Sequence, residues 1–418
     1  MTTPNLAELT RVFARIGLMS FGGPAAQIAV MHRELVEDRT WLSEQQFLNA
    51  LSFCMLLPGP EAMQLCTYAG WRLRGVTGGV IAGLLFVVPG ALVMLALAWA
   101  YATWGSVPLV ASLFLGIKAT VIIIVLQALA RLSGKTLKQP DRWVLAALSF
   151  LGIYALGAPF PLIIALAAAY GALTARAPRS DAPAPALAAR TPRTIALWLA
   201  LWWAPIAAAW ALGADTLAAI GLFFSKLAVV TFGGAYAVLA YMTQEVVETN
   251  GWLSTAQMMD GLGLAETTPG PLILVTEFVG YLAGHNAGGP LLALGAAALT
   301  LWVTFVPCFL WIFTAAPYVE WIASRPRLTG ALSAITAAVV GVIANLSLWF
   351  ALHVFFDNVG RAQLGPFTLA WPDLTSFNAP ALVLAALAAV LLLRLNRSLP
   401  VTLALMAGAG AGLGFIAG

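Results

Sequence analysis

The feature that most constrains this chain is a nearly unbroken series of apolar segments, each long enough to cross or enter a lipid bilayer. A membrane-spanning helix needs about 20 apolar residues. Segments of this kind occupy residues 11–31, 46–71, 78–104, 107–132, 142–174, 194–213, 216–242, 256–283, 287–316, 328–352, 380–396 and 400–418. The segment 142–174 is too long for one span, and its interruption at residues 157–159 predicts two short helices.

Composition agrees with a chain of membrane helices. Charged residues make up 9% of the 418 residues, whereas soluble domains carry roughly 25%. This shortage excludes a water-soluble globular protein, and the high hydrophobicity excludes a disordered chain. The net charge of +4 forms no basic stripe, so nucleic acid is not an expected partner. The expected partner is the lipid bilayer.

The sequence contains no pattern that is typical of a metal centre or of a hydrolase. Its three cysteines form no CxxC pair, and its three histidines are isolated. No Walker A, HExxH or GxSxG sequence occurs. We therefore expect no metal, no cofactor and no enzymatic activity. The rival class is a membrane-embedded enzyme, such as a lipid-modifying transferase, which would need a cluster of acids or histidines that the sequence lacks.

The chain carries an internal duplication. SFGGP at 20–24 matches TFGGA at 231–235, and Pro-Gly-Pro at 58–60 matches Pro-Gly-Pro at 269–271. Both pairs are 211 residues apart, and such a constant offset indicates a repeat. Farther along the chain, Pro89 pairs with Pro307 and Gln127 with Asn345 at an offset of 218.

The repeat predicts the domain organisation and the fold. We expect an N-terminal repeat at 1–174, a Pro/Ala/Arg-rich cytoplasmic linker at 175–193, and a C-terminal repeat at 194–418 with two extra C-terminal helices. Most loops of the first half contain more Lys and Arg than the matching loops of the second half. At one pair of matching loops the bias is reversed, because 318–328 contains more than 102–107. Cytoplasmic loops collect Lys and Arg. The expected fold is an all-α polytopic membrane protein whose two homologous halves are inverted-topology repeats with broken or re-entrant helices.

Two kinds of break mark the candidate site in each half. Adjacent glycines follow Ser20-Phe21 and Thr231-Phe232, and paired glycines weaken a helix. The Pro-Gly-Pro triplets cannot continue a helix, so the chain turns inside the membrane there. Freed backbone amides and the neighbouring hydroxyls would suit an anion, while close helix packing is the structural alternative. Glu61 and Glu266 lie beside the Pro-Gly-Pro breaks and are candidates for proton coupling.

Basic residues inside apolar segments complete the candidate site. Arg15 and Lys226 are repeat-equivalent, and Lys118 lies in a segment that has no acid of its own. A cation at membrane depth faces a cavity or an anion unless it snorkels to the interface. The residues proposed to surround an oxyanion are Arg15, Ser20, Phe21, Gly22, Gly23, Pro58, Gly59, Pro60, Lys118, Lys226, Thr231, Phe232, Gly233, Gly234, Pro269, Gly270 and Pro271.

At these residues the sequence resembles the chromate ion transporter family, in particular its long, two-domain members. The resemblance rests on FxxxGxxSFGGPxAQIAVM at 13–31, its counterpart FxxxAVVTFGGAYAVLAYM at 224–242, and the motifs LLPGPEAMQL at 56–65 and WLSTAQMMDGLGLAETTPGP at 252–271. WLSEQQF and FVVPGAL extend it over nearly the whole chain except the linker and the last two spans. Ala235 departs from the pattern, because the first half has Pro24 there.

The resemblance implies export of chromate from the cytoplasm, driven by a proton gradient, with sulfate as a structural analogue of the substrate. The expected outcome is chromate resistance. It places the protein in a bacterial-type inner membrane. An oxyanion channel or an uptake carrier of the same fold stays open as an alternative, and so does pairing of two copies of the chain as a homodimer.

Overall fold

The computed structural model describes residues 4–20, 23–175, 191–232, 235–319, 325–365 and 367–417. In the first half its helices are α1 (Leu6–Met19), α2 (Gly23–His32), α3 (Glu44–Cys54), α4 (Glu61–Trp104), α5 (Pro108–Thr136), α6 (Pro140–Leu156) and α7 (Phe160–Thr174). The two short helices expected within 142–174 are confirmed as α6 and α7, which Gly157 separates in the left-handed conformation.

The remaining described helices repeat this order after one additional helix. They are α8 (Thr191–Ala211), α9 (Asp215–Val230), α10 (Ala235–Thr243), α11 (Thr255–Thr267), α12 (Val275–Gly288), α13 (Pro290–Ala315), α14 (Pro326–Phe355), α15 (Ala379–Ala389) and α16 (Leu399–Ala417). Of the predicted linker 175–193, residues 176–190 lie outside the described residues, and Thr191 already begins α8.

Matching residues of the two halves form matching local structures. A π-helical turn follows α2 at Arg33–Glu37, and another follows α10 at Gln244–Thr249. A Ser-x-x-Gln capping box then starts the next helix in each half. The hydroxyl of Ser43 accepts from the amide of Gln46, and Ser254 accepts from Gln257. Each Gln side chain bonds back to the serine amide, so both caps satisfy helix donors at the same repeat position.

The long helix α4 is interrupted where two apolar segments were expected to meet. Arg74 has φ −142° and ψ 28°, and Gly75 has φ +62°. Positive φ favours glycine, so the chain changes direction here without a side-chain clash. The two parts of α4 correspond to the end of the segment 46–71 and to the segment 78–104.

The long apolar helices have the dimensions of membrane spans. Among the described residues, five helical segments are long and apolar enough to cross a bilayer: α4, α5, α8, Pro290–Tyr318 and α14. Large apolar side chains such as Leu173, Leu212 and Leu291 are more than four-fifths exposed, as expected for surfaces that contact lipid. The protein is an all-α polytopic membrane protein with two related halves and broken helices.

A small hairpin departs from the all-α expectation. Strand β1 (Val359–Leu364) pairs antiparallel with β2 (Phe367–Pro372) in an interval that the sequence reading treated as a loop. Gly365 adopts φ +61° at the turn. The strands are mostly exposed, so a search for apolar segments does not detect them.

Packing divides the chain into two compact units, and each unit draws on both halves. Unit 1 comprises Met1–Trp99, Ala175–Val238 and Thr268–Thr329, and within it α13 packs against α8, α9 and α12. Unit 2 comprises Ala100–Thr174, Leu239–Thr267 and Gly330–Gly418, and within it α5 packs against α11, α15 and α16. The domain boundaries at 174 and 194 stay a prediction.

Candidate functional site

The first break of each half lies in unit 1 and ends a helix at a buried hydroxyl. Ser20 follows α1, and its Oγ donates 2.6 Å to the carbonyl oxygen of Ile16. Thr231 follows α9, and its Oγ1 donates 2.6 Å to the carbonyl oxygen of Leu227. Both hydroxyl hydrogens are therefore used inside the preceding helix, and neither is offered to an anion in this structure.

The glycines of these breaks are only partly described. Phe21, Gly22, Gly233 and Gly234 lie outside the described residues. Gly23 has φ +81° and begins α2. Phe232 is an irregular residue before α10.

The Pro-Gly-Pro breaks bond to the first breaks of the opposite half. The amide of Gly59 donates 2.9 Å to the carbonyl oxygen of Thr231, and the amide of Gly270 donates 2.7 Å to the carbonyl oxygen of Ser20. Gly59 has φ +117° and Gly270 has φ +87°, a region that favours glycine. The two halves exchange equivalent hydrogen bonds, and we call these four residues the crossing.

Packing around the crossing repeats the same exchange. A Cβ built on Gly59 would lie 3.0 Å from Sγ of Cys308 in α13, and one built on Gly270 would lie 3.4 Å from Cα of Gly90 in α4. Cys308 and Gly90 are 218 residues apart, the offset that relates the later parts of the halves. Each Pro-Gly-Pro loop therefore packs against the same repeat position in the other half.

Two buried glutamines hold carbonyl groups of the Pro-Gly-Pro loops. Nε2 of Gln27 donates 2.7 Å to the carbonyl oxygen of Gly270, and Nε2 of Gln64 donates 2.6 Å to that of Pro58. Both side chains are at most 1% exposed. The sequence analysis proposed neither glutamine as a site residue, although an amide inside the apolar segment 11–31 was a detectable signal.

Helices begin immediately after all four breaks. α2 begins at the second glycine of its pair and α10 begins directly after the other pair. α4 begins at Glu61 after Pro60, and a 3₁₀ turn at Leu272–Leu274 follows Pro271 and leads into α12. The first amides of a helix lack partners within it and carry the positive end of its dipole. This arrangement favours an anion near the crossing.

The two candidate carboxylates lie in different units. Glu61 is the first residue of α4 in unit 1. Glu266 lies in the last turn of α11 in unit 2, with 9% of its surface exposed. Pro269 follows α11 by two residues and belongs to unit 1.

The candidate cations Arg15 and Lys118 each pair with an acid. Nε of Arg15 lies 3.3 Å from Oε1 of Glu34, and the other oxygen of that carboxylate, Oε2, bonds to Arg39. The Arg15 side chain is 56% exposed. Nζ of Lys118 lies 3.1 Å from Oδ1 of Asp260. The segment of Lys118 has no acid of its own, and the partner of Lys118 comes instead from α11.

The Lys118 pair has a third member. Oη of Tyr101 donates 2.7 Å to Oδ2 of Asp260, which brings three distant residues of unit 2 together. Nothing in the sequence indicates this pairing, because Asp260 lies 142 positions after Lys118. By contrast, Lys226 lies on the exposed face of α9 beside Leu222 and Val229, which is the position expected of a snorkelling residue.

In the described part of the chain, no group of three His, Cys, Asp or Glu side chains is placed to hold a metal ion. Cys54, Cys66 and Cys308 are buried thiols.

Comparison with known proteins identifies the family. A family model described as "Chromate transporter" matches residues 7–172 and 218–413. The second match includes most of α16, so the last two helices, which the motif resemblance left out, lie inside the family match. α8 lies between the two matches.

Curated relatives match most of the chain. The chromate transport protein of Pseudomonas aeruginosa is 34% identical over 91% of this chain and 90% of its own length. The probable chromate transport protein of Synechococcus elongatus is 31% identical over 82% and 83%, and the chromate transport protein of Cupriavidus metallidurans is 30% identical over 88% of each. No solved structure matches. On the family match and these identities, the chain belongs to the chromate transporter family.

Proposed function

We propose that this protein carries chromate out of the cytoplasm across a bacterial-type inner membrane, with help from the proton gradient, and so confers chromate resistance. The names of relatives at 30–34% identity support chromate as the substrate. Sulfate, which has the same charge and tetrahedral shape, is the expected competitor.

The crossing in unit 1 is the observation that carries the proposal. Four helices begin at its breaks, and the positive ends of their dipoles favour a dianion there. Arg15 and Lys118 are engaged in ion pairs, and Lys226 lies on an exposed face. We therefore assign anion binding mainly to the helix N-termini that follow Ser20, Pro60, Thr231 and Pro271, rather than to these three side-chain cations.

Energetics favour export over uptake. A negative cell interior contributes about 2.3 kcal/mol per charge per 100 mV, so two negative charges gain nearly 5 kcal/mol on leaving. Inward proton movement would add to this driving force. Inverted orientation of the halves is part of the proposal: it rests on the Lys and Arg bias of the loops and agrees with a site built from broken helices.

The test is chromate accumulation in a sensitive host with and without the protein, followed by uptake into inside-out membrane vesicles. We expect lower accumulation in cells and chromate entry into the vesicles, reduced by a protonophore and inhibited by excess sulfate. Higher accumulation in cells would indicate an uptake carrier. A chromate flux that is independent of the proton gradient and does not saturate with chromate concentration would indicate a channel.

A further inference from the structure

An acid that the sequence reading passed over lies in unit 1, just after the second Pro-Gly-Pro break. Glu277 is in the first turn of α12, and only 1% of its surface is exposed. Its Oε2 atom has no hydrogen-bond partner among the described residues. A buried carboxylate with no partner is costly when charged, so this position favours a group that holds a proton for part of the time.

The helix opposite Glu277 presents two further buried oxygens. Thr300 and Thr304 lie one turn apart on α13, and the Oγ1 atoms of both are buried without a hydrogen-bond partner in the described structure. Threonine hydroxyls in apolar helices normally donate to the carbonyl four residues earlier. Those of Thr300 and Thr304 do not, which leaves both able to bond to a side chain on the neighbouring helix.

The register of α12 on α13 brings these groups to the same level. A Cβ on Gly280 would overlap the side chain of Thr300, and one on Gly284 would meet Ala293 and Ala296. The helices therefore run antiparallel. Glu277 lies one turn before Gly280 in α12, and Thr304 lies one turn after Thr300 in α13. Because the helices are antiparallel, these two steps run in the same direction, and Glu277 is level with Thr304.

Other titratable groups on the packed elements do not pair with Glu277. α12 packs against α13, α9 and the 3₁₀ turn Leu272–Leu274. The titratable or charged residues of these elements are Tyr281, His285, Cys308, Asp215 and Lys226. Asp215 and Lys226 are exposed on α9, and Cys308 lies against Gly59. The described residues thus provide Glu277 with hydroxyl neighbours and no ion-pair partner.

We propose that Glu277 is the proton carrier of this transporter, with Thr300 and Thr304 as the hydroxyls that hold it in its two protonation states. The proposal rests on the proposed chromate transport and refines its coupling, in preference to Glu61 and Glu266. Glu277 follows the amide of Gly270 by seven residues, so gain or loss of its proton would act on the helix that begins at the crossing.

The experiment uses purified protein in liposomes loaded with chromate, with the membrane potential clamped at zero by potassium and valinomycin. Acid outside should accelerate chromate efflux by the wild-type protein and acidify the interior, as reported by a trapped pH dye. Glu277→Gln should lose both responses while still exchanging internal for external chromate at equal pH. Glu277→Asp, which keeps a carboxylate, should retain them, and Asp215→Asn is the matched control on an exposed acid.

The outcomes separate the coupling from the transport itself. Failure of the wild-type protein to move chromate would overturn the proposed function. Chromate efflux without proton movement in the wild-type protein would overturn the proton coupling and the role of Glu277, and would leave chromate transport standing. If Glu277→Gln keeps its response to the gradient, or if Glu266→Gln loses it instead, Glu277 is not the carrier. Chromate exchange by Glu277→Gln shows that the variant is folded.

Discussion

The amide nitrogen of Gly59 lies 2.9 Å from the carbonyl oxygen of Thr231, and the hydrogen bond between them joins a break in one half of the chain to a break in the other. Gly59 makes this bond at φ +117°. Gln64 and Cys308 enclose it so closely that a Cβ would lie 2.8 Å from Nε2 of the glutamine and 3.0 Å from Sγ of the cysteine. Both the backbone angle and the space require glycine at this position.

Replacing this glycine should therefore damage transport. We expect Gly59→Ala to store about 1–3 kcal/mol of backbone strain and to lower chromate efflux strongly. The control is Gly408→Ala in α16, where a Cβ meets no atom within 4 Å. In a helix, alanine is favoured over glycine by roughly 0.5–1 kcal/mol, so this variant should melt at the same temperature as wild type or above it. Equal efflux by the two variants would contradict the role of the crossing.

Lys226→Gln should leave transport nearly intact. The side chain lies on the exposed face of α9 with Leu222 and Val229, and exposed charges contribute about 0–1 kcal/mol. We expect chromate affinity, measured by competition against labelled chromate, to change by less than about fivefold. A loss of 30-fold or more, roughly 2 kcal/mol, would restore Lys226 to the substrate site that the sequence suggested.

The Lys118–Asp260 pair should behave as a structural unit. Its side chains are 18% and 10% exposed, and removal of one member of a buried pair costs about 3–5 kcal/mol. Lys118→Met and Asp260→Asn should each reduce the amount of folded protein in the membrane, whereas Lys118→Met combined with Asp260→Leu should recover most of it. If the double variant folds but binds no chromate, Lys118 contacts the substrate after all.

His32 makes the stability of unit 1 depend on pH. Hydrogen bonds from its ring to Glu44 at 2.7 Å and Glu37 at 3.0 Å raise the pKa of His32 above its ordinary 6.5. Because the folded protein holds this proton more tightly, the stabilisation is complete below pH 6.5 and disappears as the pH rises through the folded-state pKa.

His32→Gln should consequently lower the melting temperature in detergent more at pH 5.5 than at pH 8.5. Arg361→Gln serves as the control, because it removes an ion pair with Glu248 that contains no histidine. An equal loss at both pH values would show that His32 acts only through packing.

The sequence predicted the parts of the site that depend on local chemistry. Pro-Gly-Pro stops a helix wherever it occurs, so the breaks at Gly59 and Gly270 followed from the residues themselves. The hydrogen-bond partners of those glycines could not be predicted, because the acceptors are backbone carbonyl groups, which every residue has. Asp260 was missed as the partner of Lys118 for a related reason: the two residues come from helices that only the folded chain brings together.

Glu277 was missed for a different reason. It is an acid inside an apolar stretch, which is a visible signal of function in a membrane protein. The Pro-Gly-Pro triplets indicated Glu61 and Glu266 instead, because these two acids adjoin the breaks in sequence. The register of α12 against α13, which no sequence period specifies, sets Glu277 level with Thr304.

The exchange at the crossing has a genetic consequence. The amide of Gly270 donates to the carbonyl oxygen of Ser20, and the amide of Gly59 donates to that of Thr231. A mutation in either copy of the motif therefore changes a hydrogen bond to the other copy. Suppressors of a defective Gly59 allele should therefore arise around Thr231 and Cys308, on the far side of the duplication. Neither copy of the motif can therefore accumulate substitutions independently of the other.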